Sequence, residues 1–176
     1  MSRTRRLVAL ATAGTAAAVV LSGCSFTNPV TIATPYAASD GTNSQVTDPA
    51  SGETVNLRNF LVVAAAKDAP GAVLGAVAND GSKPVTVQFT VTAPAGEQGA
   101  APTAVGQGSV TVEPGALALV GPGGTAFDLA AVPTAPGTVL SIEARTPGGS
   151  TTFTLPVQAA VHQYATLTPT ASPSAS

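Results

Sequence analysis

Val85-Thr86-Val87-Gln88-Phe89-Thr90-Val91-Thr92 alternates apolar and polar residues along its whole length. Successive side chains of a strand point to opposite faces, so this pattern puts Val85, Val87, Phe89 and Val91 on one face. The threonines and Gln88 fall on the other. The segment therefore reads as a strand with one side in a core and one side in water. Thr152-Phe153-Thr154-Leu155-Pro156-Val157 repeats the pattern. Pro156 marks an edge or a strand end there, because it has no N–H to give a ladder.

Outward from these two segments the same period recurs. Thr138-Val139-Leu140-Ser141-Ile142-Glu143-Ala144 is a third strand, with Leu140 and Ile142 inward. Val55 to Ala66 and Val73 to Ala78 are more continuously apolar, as in strands covered on both faces. Val110-Thr111-Val112 and Leu117-Ala118-Leu119-Val120 are short strands separated by Glu113-Pro114-Gly115. Asn79-Asp80-Gly81-Ser82, Gly121-Pro122-Gly123-Gly124 and Thr146-Pro147-Gly148-Gly149 are turn sequences, in which Gly supplies positive φ and Pro presets a corner. No capped helix-periodic run follows the N-terminal region. The expected fold is all-β: an antiparallel Greek-key β-sandwich of immunoglobulin or cupredoxin-like kind, with about seven to eight strands. Phe60, Phe89, Phe127 and Phe153 are its core candidates.

The N-terminus carries a different signal. Arg3, Arg5 and Arg6 are three of the seven basic residues in the chain. An uncharged run, Leu7 to Val20, follows, and then Leu21-Ser22-Gly23-Cys24. A basic start, a short apolar run and a small-residue exit together make a secretory signal. The run is short of the roughly 20 residues that a permanent span needs. Leu21-Ser22-Gly23-Cys24 looks like a bacterial lipobox, and Cys24 is the sole cysteine of the 176 residues. Its sulfur is the nucleophile that takes a diacylglyceryl group. Two acyl chains anchor a protein stably where one does not. The expectation is a signal peptide over 1–23 and a lipid anchor on Cys24. The mature chain then sits at the extracytoplasmic face of the cell membrane.

Removing residues 1–23 leaves 153 residues with 4 basic and 9 acidic side chains, a net charge of −5. That balance gives no basic patch for phosphates, so no nucleic-acid partner is expected. It gives no electrostatic attraction to anionic headgroups either. With Cys24 lipidated there is no free thiol for a disulfide, a cysteine metal site or redox chemistry. Residues 24–50, rich in Thr, Ser, Ala, Pro and Asn, read as a flexible tether, with an end-to-end distance on the order of 30 Å. The sandwich is assigned to 51–164. A disordered Thr/Ser/Pro tail is assigned to 165–176.

Chemistry-bearing residues are few. His162 is the one histidine, just past the last strand; a lone imidazole is at most a weak metal ligand, and its place is that of a surface residue. Gly121-Pro122-Gly123-Gly124 lacks the helix and Lys of a phosphate cradle and reads as a hairpin turn. The nine carboxylates are scattered, with Asp68, Asp80 and Glu113 in turns, and no calcium-loop spacing appears. No Gly-x-Ser-x-Gly elbow is present. No catalytic residue, cofactor or metal is expected. The loop from Thr92 to Val105 is long for a sandwich connection, and is either a binding loop or a disordered insertion.

The order of these features resembles the periplasmic copper-chaperone family of the PCuAC type, over roughly residues 54–158. Val55-Asn56-Leu57-Arg58-Asn59-Phe60 resembles its opening strand. Ala72 to Pro84, with Asn79, Gly81 and Pro84 in matching places, resembles its next hairpin. Val112-Glu113-Pro114-Gly115 and Pro122-Gly123-Gly124 resemble two of its turns, and 138–144 with 151–157 its closing strand pair. The whole chain is similar to exported lipoproteins of actinobacteria. The resemblance implies the fold but not the activity. Where that family has a His and a Met after the Pro-Gly-Gly turn, this chain has Ala126 and Asp128. The expected second His-x-Met pair is missing from 96–108, and Met1, the one methionine, leaves with the leader. Copper(I) needs such soft ligands. The function expected is therefore a non-enzymatic binding or scaffold module of the cell envelope, with an envelope protein, a glycan or a lipid as partner. The alternative is a metal carrier with a degenerate site built on His162 and carboxylates.

Overall fold

The computed structural model describes residues 39–94 and 102–169. Nine strands follow in chain order: β1 Thr42–Thr47, β2 Thr54–Ala64, β3 Gly71–Asn79, β4 Val85–Thr92, β5 Ala104–Val112, β6 Leu117–Val120, β7 Asp128–Leu129, β8 Val139–Thr146 and β9 Gly149–Ala159. One turn of 3-10 helix, His162–Tyr164, comes after them. The strands are hydrogen-bonded in the order β5-β4-β8-β9-β2-β3-β6, with β1 also on β2 and β7 also on β3. The expected all-β, sandwich-like architecture is what forms, as a sheet nearly closed into a barrel.

Two expectations about the sheet are corrected. The pairing is mixed, because Val62, Val63 and Ala64 of β2 run parallel to Val157, Gln158 and Ala159 of β9. β9 first pairs antiparallel with β8 from Gly149 to Pro156 and then passes to β2. Pro156 sits at that crossing and not on an outer edge. The Val157 N–H donates to the Thr138 carbonyl on the β8 side. Amide directions alternate along a strand, so position 156 faces β2, where pairing begins only at Val157. The missing N–H of Pro156 does no harm there.

The second correction concerns the domain limits. β1 lies inside the stretch 24–50 assigned to the tether, and pairs with β2 from Thr47↔Thr54 to Thr42↔Phe60. Thr-Asn-Ser-Gln-Val-Thr has one apolar residue, so it shows no period; Val46 is nonetheless buried in the main core. At the other end, Ala165 to Pro169 of the expected tail are part of the described fold, with Leu167 half-buried. The folded unit extends past both limits of 51–164. Residues 1–38, with the leader and Cys24, lie outside the described residues, as do 95–101 of the expected long loop and 170–176 of the tail. What is described of that loop is shorter than expected: Ala104 and Val105 belong to β5, and the Ala93 N–H donates to the Thr103 carbonyl.

The core is built from the alternating faces. Val87, Phe89 and Val91 of β4 meet Leu140, Ile142 and Ala144 of β8, Leu155 and Val157 of β9, and Leu57, Phe60 and Val62 of β2. The four phenylalanines pack as expected. Phe60 lies 5.2 Å from Phe89 and 5.8 Å, edge-on, from Phe153; Phe89 lies 6.3 Å from Phe127. Offset and edge-on ring pairs of this kind add to burial alone. Two glycines let the barrel close. A Cβ on Gly108 would sit 2.9 Å from the Phe127 ring, and one on Gly106 would overlap the Leu129 side chain. The small inner face of β5 thus receives the side chains of β7 and the residue before it.

β2 changes character halfway. From Thr54 to Leu57 it alternates, whereas Phe60 to Ala64 are all buried. Leu61, Val63 and Ala72 are buried outside the main core cluster, on the opposite face of the sheet. Leu61 and Leu74 are cross-strand partners and share that face. Leu74 lines a groove with Leu167, so the chain after β9 returns over this face. The expectation of a strand covered on both sides holds for this half.

Candidate binding surface

The sequence-predicted sites are dispersed. Cys24 lies outside the described residues. His162 is exposed on the 3-10 turn, in the left-handed region at φ 50°. Ala126 and Asp128 are exposed on either side of Phe127, whose ring fills the core. Among the described residues no three of His, Cys, Asp and Glu stand close enough together to hold a metal ion. Gly121-Pro122-Gly123-Gly124 is a turn, with Gly121 and Gly123 at φ 100° and 85°. It carries Thr125 back beside β6, where the Thr125 N–H donates to the Leu119 carbonyl and the Gly121 N–H to the Thr125 carbonyl. Those bonds blunt the outer edge of β6 against pairing with another chain.

Two concavities bear on function. The first is a cleft of about 180 Å³ lined by Val46, Asp48, Glu53, Val55, Asn79 and Lys83, with the Thr146-Pro147-Gly148 turn across it. Its two carboxylates and its amide are engaged in building turns. Asp48 accepts from the Ala50 N–H and the Ser51 hydroxyl at 2.8 and 2.9 Å. Glu53 accepts from the Ser82 N–H and hydroxyl at 2.9 and 2.6 Å. The backbone bond from Ala50 first, and then the Ser51 hydroxyl, hold the Asp48 carboxyl below its usual range. The Ser82 hydroxyl and then its N–H do the same for Glu53. Asn79 is the one buried polar side chain among the described residues. Its Nδ2 donates to the carbonyls of Lys83 and Val112 at 2.8 and 3.0 Å, and its Oδ1 accepts the Gly81 N–H at 2.9 Å. This end of the barrel is a structural clasp between two turns.

The second is a groove of about 300 Å³ on the outer face of β2, β3 and β6, lined by Leu74, Ala76, Leu119, Val120, Pro122 and Leu167 with Arg58 and Asn59 at one side. Leu119 is 49 % exposed and Leu117, two residues along the same face, 60 %. Their cross-strand partners are Ala76 and Ala78, so the apolar strip is continuous across two strands. A β-bulge shapes the rim. The register of β2 shifts between Arg58 and Leu61, and Asn59 takes φ 52°, a conformation asparagine tolerates better than most residues. Asn59 Oδ1 accepts the Gly41 N–H, and the Asn59 N–H donates to Asn43 Oδ1. The bulge therefore pins the chain as it joins the domain. Nearby, the Tyr164 hydroxyl donates to the Asp40 carboxylate at 2.6 Å, and Gln158 Nε2 to the Asp40 carbonyl. That bond raises the Tyr164 pKa, with burial and the Asp40 charge adding to it. Both ends of the domain are tied together beside the groove.

The sequence marked 117–120 as a strand but not as a surface. Leu-Ala-Leu-Val is apolar at every position, so its period does not tell which leucines face out. Leu167 was hidden in a Thr/Ser/Pro stretch. No protein-family model matches this chain, and no curated protein matches it. Among the described residues no helix is long and apolar enough to cross a membrane.

Proposed function

We propose that the chain is an exported lipoprotein, anchored by lipid on Cys24 at the outer face of the cell membrane, that works as a non-enzymatic binding or scaffold module of the envelope. The observation that carries the reading is the lipobox Leu21-Ser22-Gly23-Cys24 behind a basic, apolar leader. The exposed apolar strip of β6 supports the binding half of the reading, since side chains of that kind, contiguous on one face, mark interaction sites more often than solvent surfaces. The carboxylates of the cleft support it from the other side, because both are spent on turn hydrogen bonds. The metal-carrier alternative rests on the family resemblance and draws no support from the placement of His162.

The test is metabolic labelling of cells with an alkyne fatty acid. Wild-type chain takes the label and fractionates with membranes; Cys24→Ser takes none and appears in the soluble fraction. A Cys24→Ser chain that still takes label and stays with the membrane refutes the anchor. For the binding half, crosslinking from Leu119 in intact cells is expected to yield adducts, to lipid or to protein, that a control position on the polar face of β4 does not.

A further inference from the structure

The β6 strip lies where the chain joins the domain, and this placement gives it a partner. Gly41 is bonded to Asn59, and Asn59 lines the groove whose floor is Leu74, Ala76 and Leu119. Fourteen residues lie between Cys24 and Ser39. Fully extended, such a segment spans at most about 50 Å. A lipid on Cys24 therefore holds the domain close to a bilayer, with the connection leaving from the groove rim.

We propose that the membrane surface itself is the partner of this face: Leu117, Leu119 and Pro122 rest on the bilayer to which Cys24 is anchored, and Arg58 reaches the headgroups from the rim. The inference rests on the anchor reading above. Three observations favour it. Leu117 and Leu119 stay about half exposed beside a shallow groove, which suits a broad surface better than a ligand enclosed in a pocket. The groove lining holds one cation, Arg58, and no carboxylate, in a chain whose mature net charge is −5; the carboxylates beside it, Asp40 and Asp80, are held in hydrogen bonds to Tyr164 and Asn56. The outer face of β4, β5 and β8, by contrast, presents Thr86, Gln88, Gln107, Ser109, Glu143 and Arg145, all polar. Two leucines bind a bilayer weakly by themselves. Tethering turns that contact into an intramolecular one and fixes an orientation. The polar face of β4, β5 and β8 then points away from the membrane.

The experiment places an environment-sensitive fluorophore on single cysteines at Leu119→Cys and, as a control on the polar face, Thr90→Cys. Residue 24 is changed to serine, and the mature chain, residues 24–176, is attached to nickel-chelating vesicles of phosphatidylglycerol and phosphatidylethanolamine through an N-terminal His tag. This attachment does not depend on lipidation, so failure of the anchor, read in the labelling experiment above, stays distinguishable from failure of the orientation. The expected result is blue-shifted emission at 119 and several-fold stronger quenching by spin-labelled headgroups at 119 than at 90. Adding Leu117→Asp to the Leu119→Cys chain is expected to remove most of that difference while far-UV circular dichroism stays unchanged. Equal quenching at 119 and 90 overturns the proposal. So does quenching at 119 that a partner protein, and not the vesicle, is needed to produce.

Discussion

Asn79→Ala is the substitution from which most can be learned about how this barrel is held. Asn79 is 2 % exposed at the end of β3. Its side chain bonds the Lys83 carbonyl, the Val112 carbonyl and the Gly81 N–H, while its own backbone bonds Ala116 and Gly115. One residue thereby joins the β3–β4 turn to the β5–β6 turn. Alanine removes all three side-chain bonds. The Val112 carbonyl is buried and loses a partner that water does not replace, at about 2 kcal/mol; the two part-buried groups cost about 0.5 kcal/mol each. The expected loss is about 3 kcal/mol. It is a large share of the roughly 5–15 kcal/mol that stabilises a domain, and corresponds to a fall in Tm on the order of 12 °C. The chain has no tryptophan, so urea unfolding is followed by far-UV circular dichroism. The midpoint is expected to drop with an unchanged m-value, since the same surface is exposed. Asn79→Asp separates the roles. A carboxylate can still accept from Gly81 but cannot donate to two carbonyls, so it should be at least as destabilising as alanine at neutral pH. A loss under about 1 kcal/mol for alanine, or an Asp variant close to wild type, would refute the donor argument.

Gly75→Ala should be severe for a different reason. The new Cβ would lie 2.8 Å from the Phe60 ring, which is itself locked against Phe89 and Phe153. Overpacking of this kind costs about 1–3 kcal/mol, and the upper end is expected here by denaturant titration. Acid should weaken the cleft end of the barrel first. The carboxyls of Asp48 and Glu53 are lowered by hydrogen bonds made in the fold, so their stabilisation is complete above the ordinary carboxylate range of about pH 4 to 4.5 and is lost as pH falls through the lower folded-state values. Ser51→Ala and Ser82→Ala should flatten that part of the Tm-against-pH curve; an unaltered curve would contradict it. At the opposite extreme, the raised Tyr164 gives stability that is complete below the ordinary tyrosine value of about 10 and lost as pH rises through the higher folded value. In a Tyr36→Phe background, ultraviolet titration of the remaining tyrosine should show a midpoint above 10 that Asp40→Asn returns toward 10.

How much of this was legible in the residues depends on what each strand buries. β4 could be read to the residue, 85–92, because one face is core and the other water, and period two records both. β1 could not, because it contributes Val46 alone and is otherwise held by its ladder to β2. Hydrogen bonds of the backbone leave no trace in side-chain pattern. The parallel step of β9 onto β2 was invisible for a related reason: periodicity gives faces, never partners. Pro156 did carry a signal, that one side of its strand lacks a ladder bond, but an edge and a crossing between sheets satisfy that requirement equally. Asn79 was legible as a turn residue and not as a clasp, since the carbonyls it reaches at Lys83 and Val112 are brought together only by the fold.

The half of β2 from Phe60 to Ala64 shows why the surface was the hardest part to foresee. A strand buried on both faces needs a cover on each, and the main core supplies only one. The cover of the other face comes from beyond β9, through the bond from the Ala160 N–H to the Ala64 carbonyl and on to Leu167 beside Leu74. Leu167 lines the groove together with Leu119 and Pro122. Beyond Leu74 and Ala76, Leu119 and Leu117 continue the same face and are about half exposed. Among the described residues the exposed strip is thus the less covered part of one continuous apolar face. Composition points the same way: a stretch of Thr, Ser and Pro containing one leucine looks dispensable, yet that leucine closes the groove on one side and sets where the apolar strip begins. What the strip meets is then a matter of what is held within reach of Gly41, which is why the anchor and the surface have to be tested as separate claims.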